Sequence, residues 1–197
     1  RQRIHVMEKM NGCAIYGADL HLPHMLYAKG VVTGCPYGEI RAIHTEEALN
    51  IPGVRGVYTA EDIPGHNGFG AFCKDEPILA ERYVKFAGDV VAVVVADSPV
   101  LAEQGAKAVR VELTPLKPVL TVEEALSGEI VINPAYPDNL CASQHLIKGD
   151  AAAALAQAEV VVEETYETAW VEHAYLEPEA VVVLPLEGGG HEMRDST

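Results

Sequence analysis

A chain of 197 residues, 49% hydrophobic and 22% charged, has enough apolar mass for one sizeable domain or two small ones, which excludes a disordered chain. Its 14 Lys and Arg stand against 29 Asp and Glu, a formal net charge of −15. A surface of that sign repels phosphate backbones and anionic lipid, so nucleic acid and membrane are not expected as partners.

In chain order, residues 1–20 are mixed and lead to Gly12. Met25 to Thr33 reads as a strand, Gly34-Cys35-Pro36-Tyr37-Gly38 as a turn, and Ile40 and Ile43 as a second strand. Thr45 is placed to cap a short helix over Glu46–Asn50, whose early carboxylates suit the helix dipole. Val54 to Tyr58 alternates as a strand, Thr59-Ala60-Glu61-Asp62 reads as a capped helical turn, and residues 65–75 as a loop. Val84-Lys85-Phe86 and Val90 to Ala96 read as strands joined in a hairpin at Gly88-Asp89. The second is apolar on both faces, as a central covered strand requires. Ser98 caps the next helix with Pro99 at its first position, and Val109, Val111 and Leu113 alternate as a strand. Thr121 opens a short helix to Leu126. After a Pro- and Asn-rich linker comes an alanine-rich helix over Ala151–Ala158. Val160 to Ala169 reads as a long strand, Val181 to Leu184 as another, and Gly188-Gly189-Gly190 as a hairpin loop. Hairpins mixed with helices predict an α+β fold rather than a doubly wound sheet.

Cys13, Cys35, Cys73 and Cys141 are scattered, with no C-x-x-C pair to seed zinc or an iron–sulfur cluster; reduced thiols and a cytoplasmic location are expected. No apolar stretch approaches the roughly 20 residues of a transmembrane helix, and no signal peptide is visible. His21 and His24 flank Pro23, which disfavours a helical ligand pair, so a surface loop is expected. Gly65-His66-Asn67-Gly68-Phe69-Gly70 matches neither a dinucleotide nor a P-loop motif and reads as a flexible loop. Glu163 and Glu167 share one face of their strand and Glu164 lies on the other; with Asp150 they invite a paired-carboxylate reading, against which an exposed strand face is preferred. The serines lack a nucleophile-elbow setting. His173 and Glu177 are spaced to meet on a helical face, but Pro178 pushes Glu177 out of the α region.

Several blocks then fall in a telling order. Gly12-Cys13-Ala14-Ile15-Tyr16-Gly17-Ala18-Asp19 is followed by Met25-Leu26-Tyr27-Ala28-Lys29, Cys35-Pro36-Tyr37, and Ala48 through Gly65. Asp75-Glu76-Pro77-Ile78-Leu79-Ala80, Val84 to Ala96, Gly149-Asp150, and Val171-Glu172-His173-Ala174-Tyr175-Leu176-Glu177-Pro178 complete the series. Over residues 3–185 this order resembles the large subunit of the xanthine dehydrogenase/aldehyde oxidase family, the molybdenum hydroxylases, with Gly12–Asp19 as the family's opening strand.

The resemblance implies an α/β-hammerhead domain over residues 1–130, a linker over 131–148, and the beginning of a molybdopterin-binding domain over 149–197. It implies an oxidoreductase that hydroxylates aldehydes or N-heterocycles, with molybdopterin in the full enzyme and iron–sulfur clusters and FAD on partner domains or subunits. Glu172 and His173 become cofactor-adjacent candidates; no catalytic residue and no metal ligand is expected in this chain. Val171 stands where some members carry Gln, the turn at Cys35–Ile40 is shorter than in many relatives, and the family's catalytic glutamate has no counterpart here. The expectation is therefore a structural piece, inactive alone and with no cofactor of its own, that joins the remainder of a large subunit and reaches a small-molecule substrate only in the full enzyme. The alternative is a non-catalytic interaction module completed by another polypeptide. A weaker third reading, a stand-alone acidic domain binding a small ligand, predicts that no strand is left without a partner.

Overall fold

Val90–Ala96 is apolar along its whole length and can be buried only with a strand on each edge and a layer on each face. The computed structural model, which describes residues 6–70, 74–174 and 179–195, supplies both. The chain divides into two compact units, one formed by His24–Leu146 and the other by the described residues of 1–23 and 147–197.

In the first unit, Val90–Ala96 (β5) lies between β1 (Tyr27–Val32) and β3 (Val54–Thr59), antiparallel to both. Lys29 and Val57 sit opposite Val94 on either side. A second antiparallel sheet runs in the order β4 (Tyr83–Val84), β2 (Gly38–His44), β6 (Arg110–Pro115). Both sheets feed one core: Val31, Val84, Val91, Ala92, Val94 and Val109 are buried, with Ile40, Ile43, Val111 and Leu113 packed against them. The largest fully buried side chains are valines, so the layers approach closely. Burying each contributes about 1.5–3 kcal/mol.

Two helices, at Glu46–Leu49 and Pro99–Ala108, pack on this core, while a third, at Val122–Ser127, buries no residue. Ahead of α2 (Glu46–Leu49), Thr45 occupies the cap position in the αR region and its hydroxyl makes no capping bond, unlike the expectation. For α3 (Pro99–Ala108), Ser98 Oγ accepts from the Leu101 amide at 3.2 Å and Pro99 opens the first turn, as read from the sequence. For α4 (Val122–Ser127), Thr121 Oγ1 accepts from the Glu124 amide at 3.1 Å, and Gly128 ends the helix in the αL region. The α3–sheet approach depends on Gly105: a Cβ there would lie 2.7 Å from Val94 Cγ1 and 3.1 Å from Val54 Cγ2.

One reading of this unit is corrected. β4 and β5 do not pair as a hairpin; β4 joins β2 in the second sheet. The reversal between them is real, since the Asp89 amide donates to the Phe86 carbonyl at 3.1 Å and the Asp89 carboxylate accepts from the Lys85 and Phe86 amides. It passes the chain from one sheet to the other. The stretch after Gly65 is a loop, as read, and local hydrogen bonds tie it to residues 76–79. Asn67 donates to the Leu79 carbonyl at 2.8 Å and accepts from the Leu79 amide at 3.1 Å, while Phe69 and Glu76 form a bridge.

The second unit holds α1 (Val6–Met10), a 3-10 turn at Gly17–Asp19, α5 (Ala151–Gln157) and the hairpin β7 (Val181–Pro185)–β8 (His191–Asp195) closed through Gly188–Gly190. Asp150 Oδ1 caps α5 through the Ala153 amide at 2.9 Å. Gly12–Asp19, read as an opening strand, joins no ladder among the described residues and ends in the 3-10 turn at Gly17–Asp19. Residues 160–169, read as a long strand, join none either. In both cases the residues suit a strand but no second strand lies alongside among the described residues.

Gly105→Val is expected to lower unfolding free energy by about 1–3 kcal/mol, because overpacking against Val94 outweighs the small gain in helix propensity; chemical denaturation measures it. The exposed Arg55–Asp97 pair, with two contacts of 2.7 Å, gives a second test. Its hydrogen bond holds the Asp97 carboxyl below its ordinary range. A depressed folded pKa contributes stability above the unfolded value, about 3.9, that is lost as pH falls through the folded one. Asp97→Asn should therefore be less stable than the parent at pH 7, the gap closing below about pH 4 and shrinking with salt. An unchanged gap at low pH would contradict this.

Candidate functional site

The segment that leads from α5 to residue 174 carries the candidates. Residues 158–174 form no helix or ladder, and every one of them is exposed. Tyr166 is 86% exposed, Val171 81%, and Trp170, the protein's single tryptophan, fully so. Among the described residues, no backbone hydrogen bond involves 159–171. This is unusual for a run so rich in valine and aromatic residues, since exposed apolar stretches of this size mark interaction surfaces.

Glu172 and His173 close the segment. Glu172 Oε1 accepts from the His173 amide at 3.0 Å and the Ala174 amide at 3.4 Å, a local turn in which Ala174 takes a φ of 52°. Both side chains are exposed. Tyr175–Pro178, and with them the proposed meeting of His173 and Glu177, lie outside the described residues. No walls enclose Glu172 and His173 in the described segment, and among the described residues no three His, Cys, Asp or Glu come together as metal ligands. The residues present do not by themselves fit a bound molybdopterin.

The other candidates separate. Asp150 is a helix cap, and Glu163, Glu164 and Glu167 lie on the open segment. His21 and His24 are exposed, with Pro23 between them. His66 Nε2 meets the Lys74 carbonyl at 2.9 Å, inside the loop that Asn67 clasps. Cys13, Cys35 and Cys141 are free thiols. A pocket beside α4, lined by Lys117, Val119, Glu124 and Ser127 among others, has a volume of about 20 Å³, room for one water.

Sequence reading missed two polar clusters that strand pairing creates. Tyr37 stacks on Tyr83 with ring centroids 6.3 Å apart, Arg82 lies 5.1 Å over the Tyr83 ring, and Glu39 meets Arg41 at 2.8 Å and Arg82 at 3.6 Å. On the far side of β2, Glu112 is held by Arg110 at 2.6 Å and by His44 at 2.9 Å, which lowers its carboxyl pKa, the Arg110 bond contributing most. Strand pairing brings Tyr37 and Glu39 to Tyr83 and Arg82 and brings His44 to Glu112, while Glu39–Arg41 and Arg110–Glu112 are neighbours two apart on one strand.

Comparison with known proteins sets the boundary elsewhere than the compact units do, joining residues 11–23 to the first domain and 132–146 to the second. The family model described as aldehyde oxidase and xanthine dehydrogenase, a/b hammerhead domain, matches residues 11–117, and the molybdopterin cofactor-binding domain model matches residues 132–197. The chain is 36% identical over 182 residues to the nicotinate dehydrogenase large molybdopterin subunit of Eubacterium barkeri, covering 91% of this chain and 42% of that protein. It is 33% identical over 190 residues to a xanthine dehydrogenase subunit, named as probable, of Bacillus subtilis (strain 168), covering 96% and 25%. The aldehyde oxidoreductase structure from Desulfovibrio gigas superposes with a TM-score of 0.87 at 30% identity, over 98% of this chain and 23% of that one. The chain thus spans less than half the length of each.

Trp170 gives a direct optical test. In the isolated 197-residue chain its emission is expected to be that of a water-exposed indole, fully open to acrylamide quenching. A blue-shifted, protected emission would contradict the open segment.

Proposed function

This chain belongs to the aldehyde oxidase and xanthine dehydrogenase family, and from that premise we propose that it is the hammerhead domain and the beginning of the molybdopterin-binding domain of a larger molybdenum hydroxylase subunit. The observation that carries the reading is the tandem of family matches over 11–117 and 132–197, on a chain that covers 42% and 25% of two relatives. The complete enzyme hydroxylates an aldehyde or N-heterocycle and uses molybdopterin, with iron–sulfur clusters and FAD on partner domains or subunits. This portion is structural. Residues 1–130 form the hammerhead domain, 131–148 the linker, and Glu172 and His173 approach the cofactor only once the remaining segments wall the site. Free thiols at Cys13, Cys35 and Cys141 support a cytoplasmic setting. Among the described residues no helix is long and apolar enough to cross a membrane.

The exposed segment 159–171 also supports a second reading, a subunit of this length completed by a separate polypeptide. Capture of the native protein from its source cells with an antibody against this chain decides between them. The first reading expects a polypeptide several times larger than 21.2 kDa that contains molybdenum. A polypeptide of 21.2 kDa co-purifying with a molybdenum-containing partner supports the second, and a species of that mass without molybdenum refutes both.

A further inference from the structure

The sequence contains two Asn-Gly pairs, Asn11-Gly12 and Asn67-Gly68, and the fold treats them differently. Asn11 and Gly12 are exposed. Asn67 is part-buried, and both ends of its carboxamide are held by the backbone of one residue. Its Nδ2 donates to the Leu79 carbonyl at 2.8 Å and its Oδ1 accepts from the Leu79 amide at 3.1 Å. The side chain stands in for one rung of a ladder, which the Phe69–Glu76 bridge continues. Gly68 answers a separate demand. A Cβ there would lie 2.7 Å from the Lys74 carbonyl oxygen and 2.7 Å from His66 Nε2. The backbone oxygen has no rotamer by which to move aside, so the close approach requires glycine. The loop thus needs an amide at 67 and no side chain at 68.

That combination is chemically labile, because a residue without a side chain leaves its own backbone nitrogen unshielded. The Gly68 nitrogen can attack Cγ of Asn67. A C–N bond forms, the bond from Cγ to Nδ2 breaks, and ammonia leaves with the proton lost from the Gly68 amide. Water then opens the resulting succinimide to aspartate or isoaspartate, so the net change is water gained and ammonia lost. We propose that Asn67-Gly68 is a latent self-modification site, kept unreactive by the Leu79 clasp, and that its deamidation irreversibly releases that clasp. Attack requires the carboxamide to rotate and its carbon to become tetrahedral, and two hydrogen bonds to a fixed backbone resist both. After reaction, a carboxylate has no N–H to give and faces the Leu79 carbonyl acceptor to acceptor. A part-buried carbonyl loses its donor, which favours opening. Isoaspartate also inserts a methylene into the main chain. None of these steps depends on the enzyme reading.

The native protein captured from its source cells supplies the test. It is incubated at mildly alkaline pH, folded and in denaturant, then digested, and mass spectrometry follows Asp and isoaspartate at each Asn-Gly pair. Asn67 should deamidate about 10- to 100-fold more slowly in the folded protein, the factor expected when two hydrogen bonds must open before reaction. Asn11 should differ far less between the two conditions. Equal rates at Asn67 overturn the protection. The deamidated form, separated by its added negative charge, is then compared with the parent by hydrogen exchange. The amides of Phe69, Glu76 and Leu79 should exchange about 10-fold faster or more, and unchanged exchange overturns the release. Asn67→Asp supplies the carboxylate without the longer backbone and should show the same loss; parental protection in that variant overturns the role of the lost donor. Should Asn67→Asp fail to fold, the deamidated parent still decides.

Discussion

Burying a strand on both faces imposes more constraint than any single contact in this chain. β5 has no polar side chain to lend to solvent, so its backbone must be paired on both edges and its side chains covered above and below. β1 and β3 provide the edges. The cover provided by α3 requires a residue without a side chain at Gly105, because Val94 and Val54 already occupy that space. The start of β3 meets a related demand at Gly53, whose φ of 93° few other residues adopt and whose carbonyl accepts from the Asp97 amide at the end of β5. The Arg55–Asp97 pair then ties the same two strands at the surface. Its weight is small by comparison, as is usual for solvent-exposed ion pairs.

Val160-Val161-Val162 has the same composition as the interior of β5 and the opposite fate. Three successive valines favour extended backbone wherever they occur. What differs is supply. β5 finds its neighbours upstream, in β1 and β3, whereas the described residues offer none to 159–171. β-Propensity determines how a segment would pair, and pairing requires a second segment.

That distinction explains which parts of the fold were legible beforehand. Ser98-Pro99 and Thr121 announced helix starts because capping is local and involves three or four residues. Gly188–Gly190 announced a hairpin because its strands flank it directly. The Gly88-Asp89 turn was read correctly as a reversal and wrongly as a hairpin, since turn chemistry reports a change of direction and is silent about which sheet receives the chain. Thr45 had the residue type of a cap without the extended backbone that aims its hydroxyl. At the site, family resemblance singled out Glu172 and His173, and their local turn is all that physical reasoning adds, since the surrounding walls are not made by the described residues. The contacts of Tyr37 with Tyr83 and of His44 with Glu112 were invisible for the same reason as the hairpin error: register brings their members together.

Ten of the 29 acidic residues fall between Lys148 and Arg194, where there is no Lys or Arg. This concentration has a simple reading as solubility, and the energetics of the open segment bear on it. In water, spaced carboxylates repel weakly and their charge is screened within about 8 Å at physiological ionic strength. An exposed segment therefore tolerates Glu163, Glu164 and Glu167 whatever their role. Solubility alone, however, gives no reason to interleave them with Val162, Tyr166 and Trp170, whose exposure works against it. An alternation of carboxylates with large apolar groups suits a surface that is to be covered. Covering it reverses the energetic balance: the aromatic groups gain by leaving water, and each carboxylate that leaves with them demands a partner of opposite sign.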